Sequence, residues 1–183
     1  SSRIRDTIEY FSSLGSRVIG YPGEDSAAAY IADQFRQAGL QRVAYEPFTG
    51  ASPIDEGASI RLLTTGETFP VHCLWPNLVR TPTLPREGVE GILHYVGKGE
   101  FKDFNGKIIE NNFVLMDFNT GANWLNAAEL GVRAVYFIEP EWTVRQQAED
   151  KFLQNPADVP RFYVPSPHCA IHIISRTSTY FTF

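Results

Sequence analysis

The sequence predicts an α+β fold, in which two amphipathic N-terminal helices and a hairpin precede a β-rich region containing a short βαβ unit. Three observations favour this class. Apolar residues recur at helical spacing over the first 40 residues, the later apolar runs are short enough for strands, and glycine or proline separates these runs. An apolar fraction of 43% in 183 residues is typical of a folded globular protein.

The first 40 residues are expected to form two helices. The first ends at Gly15, and the second is capped by Asp25 or Ser26 and ends at Gly39. Both carry apolar residues at helical spacing: Ile4, Ile8, Phe11, Ile31 and Phe35. Because each helix is amphipathic, each needs a surface that covers its apolar face.

After Gly39 the pattern changes to that of strands. Residues 41–48 and 58–63 are expected to form a hairpin around a polar loop. Residues 70–85 are rich in proline, which is typical of a domain boundary. We therefore assign residues 1–69 to an N-terminal segment, an incomplete domain by itself, and residues 70–183 to a second domain.

Strand patterns dominate the second domain. The predicted strands are residues 89–96, 107–109, 113–118, 132–138, 159–164 and 170–174. Asn123 can cap a short helix through Leu130, so the strands on either side of it are expected to be parallel, with a right-handed crossover. Residues 141–156 are polar and are predicted to form a surface loop.

Composition excludes several functions. A net charge of −5 argues against a nucleic-acid partner, which would require a basic face. No apolar run approaches the roughly 20 residues that span a bilayer, so we expect no membrane span in this chain. The chain begins at Ser1 rather than Met, and we expect that its natural start has been removed.

The N-terminal segment resembles the opening of the zinc aminopeptidase family, which also contains glutamate carboxypeptidase and the transferrin receptor. The residues that carry this resemblance are Ser16-Arg17, Gly20-Tyr21-Pro22-Gly23, and the helix with Ala27, Ala28, Tyr30, Ile31, Phe35, Gly39 and Leu40. In that family this segment precedes the metal ligands, and its helices pack on the catalytic sheet.

Residues 88–164 resemble a protease-associated domain, which many of those enzymes carry as an insertion. The matching pieces are Gly88-Val89-Glu90-Gly91, Tyr95-Val96-Gly97, residues 103–108, 113–117 and 126–135, and Val159-Pro160-Arg161-Phe162-Tyr163-Val164. Their order and spacing, more than any single piece, carry the resemblance.

The resemblance implies a parent protein that is a zinc metallopeptidase, secreted or periplasmic, acting on a peptide or protein substrate. A co-catalytic zinc site needs a His-x-Asp pair, further acidic ligands and a Glu base. None of His72, His94, His168 and His172 is followed two residues later by Asp. We therefore expect no catalytic or metal-binding residue and no cofactor here, with zinc only in a missing C-terminal catalytic domain. The chain alone is predicted to be inactive, and the alternative is a free-standing binding module without peptidase activity.

The dipeptides His72-Cys73 and His168-Cys169 invite three interpretations. A Cys73–Cys169 disulfide would join the entry and exit of the second domain and is more plausible than a zinc site. Neighbouring strand residues point to opposite faces, so one dipeptide could not easily direct both side chains at one ion. Two buried free thiols are the commoner outcome in a chain with so few cysteines.

Residues 117–123 follow a predicted buried strand and precede a short helix. Ordinary N-capping by Asn123 is the favoured interpretation. The alternative is that free backbone N–H groups there hold an anion or a peptide carboxylate. Candidate ligand contacts are therefore Asn119, Asn123 and Trp124. Trp124 and Trp142 as exposed aromatics could line a peptide-contacting surface, but such residues more often are half-buried and serve packing.

Overall fold

The computed structural model describes residues 2–77, 79–152 and 154–165, together with the backbone of residues 180–182. The predicted α+β class is confirmed, since four α-helices among these residues accompany a mixed, curled sheet. Contacts divide the chain into two units, Ser1–Ile54 and Asp55–Phe183, and each is described by itself below. The predicted domain boundary between residues 69 and 70 stays a prediction.

The first unit contains the two predicted helices, α1 (Ser2–Ser13) and α2 (Pro22–Gln37). Aromatic rings join them. Tyr30 of α2 stacks on Tyr10 with ring centroids 4.4 Å apart and meets the ring of Phe11 edge-on at 5.3 Å. Its hydroxyl also lies 3.1 Å from Oγ1 of Thr7. The aromatic side chains are therefore used between the helices, which leaves the aliphatic ones to face elsewhere.

Gly23 allows the turn between the helices to lie close against the start of α2. A Cβ atom at this position would meet the backbone carbonyl oxygen of Ser16 and lie 2.5 Å from that of Leu14. Pro22 occupies the first turn of α2, where its missing N–H costs nothing. The close turn and the start of α2 thus explain why proline and glycine occupy positions 22 and 23.

The predicted strand at residues 41–48 is wrong. This stretch is irregular and mostly exposed, with 59% of Tyr45 and 78% of Phe48 accessible to solvent. Arg42 has a φ of 58°, a left-handed conformation that interrupts an extended strand. The hairpin forms later, between β1 (Ala58–Leu62) and β2 (Thr68–Cys73), which pair antiparallel.

The second unit is built around a closed sheet of seven strands among the described residues. The remaining strands are β3 (Glu90–Tyr95), β4 (Phe113–Asp117), β5 (Ala134–Ile138), β6 (Arg161–Val164) and β7 (Tyr180–Thr182). Their order is β1-β2-β6-β5-β4-β3-β7, closed by the pairing of β7 with β1. Strands β3, β4, β5 and β6 are mutually parallel, and the other pairings are antiparallel.

Strands β4 and β5 are buried on both faces, as their near-continuous apolar sequence predicts. Phe113 and Leu115 face the inside of the closed sheet, whereas Val114 and Met116 belong to a second core on the other face. The helix α3 (Trp124–Glu129) contributes Trp124 to that second core. The predicted βαβ unit with parallel strands is confirmed.

Two other assignments are wrong. Residues 107–109 form no strand, and the predicted loop at residues 141–156 contains a helix, α4 (Arg145–Phe152). Arg145 and Glu149 pair across one turn of α4 at 2.6 Å, and Ala148 packs against the second core. The apolar face of α4 is too short to give a helical period in the sequence.

The predicted strand at 170–174 lies outside the described residues. No helix among those described is long and apolar enough to cross a bilayer.

Candidate contact site at the carboxyl ends of the parallel strands

The parallel strands β3 to β6 end at one edge of the sheet, and the loops that follow them carry the sequence-predicted site residues. In open α/β sheets this edge is where ligands commonly bind, because several loops converge there. Here the loop after β3 spans residues 96–100, the loop after β4 spans 118–123, and the loop after β5 spans 139–144.

Asn119 links two of these loops. Its side-chain N–H donates to the carbonyl of Trp142 at 2.7 Å, and its Oδ1 accepts from the hydroxyl of Thr143 at 2.7 Å. The loop after β5 is thereby fixed while its apolar side chains stay in solvent, with 72% of Trp142 and 50% of Val144 exposed. A held loop with an exposed tryptophan is suited to contact with a peptide or protein surface.

The side chain of Asn123 bonds to the loop after β3 and does not cap α3. Its backbone is helical (φ −59°, ψ −20°), whereas an N-cap residue is normally extended. The side chain instead donates to the carbonyl of Lys98 at 3.1 Å, and that of Asn126 donates to Gly99 at 2.8 Å. The favoured interpretation of Asn123 as a side-chain cap is therefore wrong.

Backbone amides near the start of α3 are directed at neighbours within the protein. The amide of Asn123 donates to Thr120 at 3.1 Å, and that of Gly121 donates to Oε1 of Gln147 at 2.8 Å. The proposed use of this segment's amides for an anion stays a prediction, with Asn119 and Asn123 as its candidate contacts.

The expectation that Trp124 is exposed is wrong, because its ring is completely buried. The indole N–H donates to the carbonyl of Asp150 in α4 at 2.8 Å, and the guanidinium of Arg161 lies 5.5 Å from the ring centroid. The first turn of α3 packs against the sheet and against α4, so this tryptophan supports the site from beneath. Of these two tryptophans, Trp142 is the one that reaches solvent.

Two tyrosines pair with carboxylates at this edge. The hydroxyl of Tyr95 donates to Oδ1 of Asp117 at 2.9 Å, and burial together with Asp117 raises the pKa of Tyr95 to about 12. Burial and the nearby Glu139 likewise raise the pKa of Tyr163 to about 12. Both phenols stay protonated near neutral pH, so each can donate a hydrogen bond to its carboxylate and hold the end of its strand in place.

No protein-family model matches this chain, and no curated protein matches it. Among solved structures, an aminopeptidase from Aneurinibacillus sp. strain AM-1 is similar at 20% sequence identity and a TM-score of 0.46. The match covers 97% of this chain and 42% of that one, so the chain spans about two fifths of the length of that aminopeptidase.

The described residues contain no group of three or more His, Cys, Asp or Glu side chains able to hold a metal ion. His72 is exposed, whereas Cys73 packs against the inner core, so the two residues of this dipeptide face opposite sides of β2. The proposed partner Cys169 lies outside the described residues, as does His168, and the disulfide stays a prediction.

Two buried cations beneath the site were missed by sequence reasoning. Lys151 and Arg161 are both 0% exposed. Nζ of Lys151 donates to the carbonyl of Gln147 at 2.9 Å and lies 4.8 Å from the ring centroid of Phe118. Desolvation by burial lowers the pKa of Lys151 to about 8 and that of Arg161 to about 10. Sequence gives no signal for burial of a lysine in so polar a segment.

Proposed function

We propose that this chain is the non-catalytic front portion of a zinc-dependent, exopeptidase-like protein. The second unit acts as a protease-associated lid that shapes substrate access or makes protein contacts. One observation carries the proposal: both helices of the first unit expose apolar side chains at helical spacing. The exposed fractions are Ile4 68%, Ile8 59%, Ile31 43% and Phe35 48%.

These helices have the form of elements that cover a larger sheet. Tyr10, Phe11 and Tyr30 already hold the two helices together. The four apolar residues keep between 43% and 68% of their surface in water, which is unfavourable by about 25 cal/mol for each Å² of apolar surface exposed. A peptidase domain would cover such faces, whereas a solitary lid would not need them.

The proposal for the second unit is supported by where the resembling pieces lie. Gly88 to Gly91 leads into β3, residues 113–117 form β4, and residues 126–135 run from α3 into β5. The final piece forms β6, next to β5. Pieces that are separated in sequence thus form neighbouring strands of one sheet. Under this proposal zinc lies in the catalytic domain, the substrate is a peptide or protein, and the protein is secreted or periplasmic.

The reading frame beyond residue 183 provides the most direct test. We expect it to continue into a segment with a His-x-Asp pair and further acidic ligands. A stop codon near Phe183 would overturn the proposal. The isolated chain should not hydrolyse aminoacyl anilides when zinc is added, and turnover that a chelator abolishes would contradict this expectation.

A matched pair of variants tests the role of the helices. Ile8→Lys should change the unfolding free energy of the isolated chain by less than about 0.5 kcal/mol, because residue 8 is already exposed. In the full-length protein the same change should cost about 2 kcal/mol, because it places a charge in an apolar contact. Ile108→Lys, at a position 73% exposed in the second unit, is the control and should have little effect in either. Equal effects of Ile8→Lys in both proteins would contradict the proposal.

The alternative is a free-standing peptide- or protein-binding module. It is favoured by the closed sheet with its own cores and by the exposed Trp142 at the carboxyl edge. The two functions differ in what they require of the helices. A module of this kind would keep its affinity for a peptide or protein partner when Ile8→Lys is introduced, and its reading frame would end near residue 183.

A further inference from the structure

A cleft lies at the end of the parallel strands opposite to the contact site. Its lining includes Val89, Arg133 and Pro160, which immediately precede β3, β5 and β6. Arg80 and Leu84, from the segment after β2, line it as well. The cleft has a volume of about 460 Å³, within the roughly 300–1,000 Å³ of small-ligand sites.

The cleft combines two guanidinium groups with apolar walls. Arg80 and Arg133 supply the charges, and Leu84, Val89 and Pro160 supply apolar surface. Two positive charges that line one cleft repel each other, and Asp158, 3.6 Å from Arg80, offsets only part of this repulsion, so an added anion would be favourable there. The protein as a whole carries a net charge of −5, so this cleft differs in sign from the average surface.

Buried polar groups fix the backbone at Arg80. Asn77, which is 0% exposed, accepts from the amide of Arg80 at 2.9 Å and donates to the carbonyls of Asn155 and Ala157 at 3.1 and 2.8 Å. A guanidinium nitrogen of Arg161 donates to the carbonyl of Arg80 at 3.5 Å. The chain at this arginine is therefore held from two sides before any ligand arrives.

The two guanidinium groups make only long contacts within the protein. Arg80 reaches Asp158 at 3.6 Å and the carbonyl of Thr83 at 3.5 Å, while its Nε is buried and lacks a hydrogen-bond partner among the described residues. Arg133 reaches the carbonyl of Glu90 at 3.5 Å. Guanidinium groups form their strong bonds at about 2.7–2.9 Å with planar oxyanions, so both retain most of their capacity to bind one.

We propose that this cleft binds a carboxylate attached to an apolar group, with the carboxylate on Arg80 and Arg133 and the apolar group against Leu84 and Val89. A peptide with an aliphatic C-terminal residue and a medium-chain fatty acid both offer this chemistry. The proposal does not depend on the presence of a peptidase domain, because every residue it uses lies in the second unit.

The test is calorimetric titration of the protein at low salt with N-acetyl-Leu-Leu, its C-terminal amide, octanoate and inorganic phosphate. We expect the free acid to bind at least tenfold more tightly than the amide, because the amide lacks the charge that the arginines recognise. Tighter binding of octanoate than of the peptide acid would identify a fatty acid as the source, and the reverse would identify a peptide. Phosphate that binds more tightly than either would overturn the apolar part of the proposal.

Arginine variants test whether the acid binds in this cleft. Arg133→Gln should weaken binding of the acid about tenfold, whereas Arg145→Gln, at an exposed position of α4, should leave it unchanged. If Arg133→Gln does not fold, Arg133→Lys, which keeps the charge but loses the planar fork, should weaken binding several-fold. Equal affinity for acid and amide, or equal affinity of the Arg133 variants and the unaltered protein, would overturn the proposal.

Discussion

The guanidinium of Arg161 donates a hydrogen bond to the backbone carbonyl of Lys151, and both side chains are completely buried. This contact joins the start of β6 to the end of α4. The other end of the guanidinium reaches the carbonyl of Arg80. One buried arginine thus ties together α4, the sheet and the segment that carries the cleft. Lys151 directs its own N–H groups to carbonyls of Gln147 and Gly121.

Lys151 should make the stability of the chain depend on pH. Its pKa is about 8 in the folded protein, against an ordinary value of 10.5, because burial disfavours the charged form. Between these two values the unfolded chain binds more protons than the folded one, so stability rises with pH. We expect Lys151 to contribute a gain of about 1–2 kcal/mol between roughly pH 7.5 and 9.5, measured by urea unfolding as the difference from a variant without this lysine. The raised pKa of Cys73, about 12, opposes this gain above about pH 9, so the comparison with that variant is needed.

Lys151→Met is the control for this pH dependence. Methionine fills a similar volume against Phe118 and Phe137 and has no titratable group. The contribution of Lys151 should be absent in this variant, whose stability should fall slightly above about pH 9 because the pKa of Cys73 is raised by burial. The comparison stops below pH 10, because the raised pKa values of Tyr95 and Tyr163 lower the stability of both proteins further above it. The same slope in both proteins would show that Lys151 does not titrate in this range.

Asn77 should be one of the most sensitive positions in the second unit. It is fully buried, and its amide group makes four hydrogen bonds, to the backbone of Val79, Arg80, Asn155 and Ala157. Asn77→Ala leaves these buried groups unpaired, and we expect a loss of about 2–4 kcal/mol in the free energy of unfolding. Asn77→Asp should also destabilise, because a carboxylate cannot donate to the two carbonyls. Asn105→Ala, at an exposed turn, is the control and should change stability by less than about 0.5 kcal/mol.

The sequence predicted those elements whose burial is uniform. The runs at Phe113 and Ala134 are apolar at every position because both faces of β4 and β5 are covered, and both strands were found within a residue or two. The prediction failed where apolar and polar residues are mixed. Residues 41–48 alternate like a strand but pair with no strand in the described part of the chain. The helix α4 is polar although only its first two residues are exposed, because side chains such as Gln147 and Lys151 make hydrogen bonds within the second unit.

The candidate site was predicted only in part for the same reason. The position of Asn119 after a buried strand follows from chain order, so its place at the carboxyl edge could be foreseen. The burial of Trp124 could not be foreseen, because a short helix can turn either face to the sheet. The cleft between Arg80 and Arg133 joins residues far apart in sequence, and only the paired strands bring them together.

Gly23 should be essential for the first unit. Gly23→Ala would place a methyl group against the backbone carbonyls of Leu14 and Ser16, which cannot move without shifting the turn between the helices. We expect a loss of at least about 2 kcal/mol or a visible loss of helical circular dichroism. Gly39→Ala is the matched control. A Cβ there meets nothing within 4 Å, so only its positive φ opposes the change, at about 1 kcal/mol. A smaller effect at Gly23 than at Gly39 would contradict the close approach.

Asn119 should control the mobility of the exposed loop without controlling the fold. Asn119→Ala removes the bonds to Trp142 and Thr143, and we expect the backbone order parameters of residues 142–144, measured by NMR relaxation, to fall from about 0.85 toward 0.6. The free energy of unfolding should fall by only about 1 kcal/mol, because these bonds lie at the surface. Asn126→Ala removes the bond to Gly99 in another loop and should leave the order parameters of residues 142–144 unchanged. A partner that binds through Trp142 should lose affinity in Asn119→Ala, because a mobile loop must be ordered on binding. Unchanged order parameters at residues 142–144 would show that Asn119 does not hold the loop in solution.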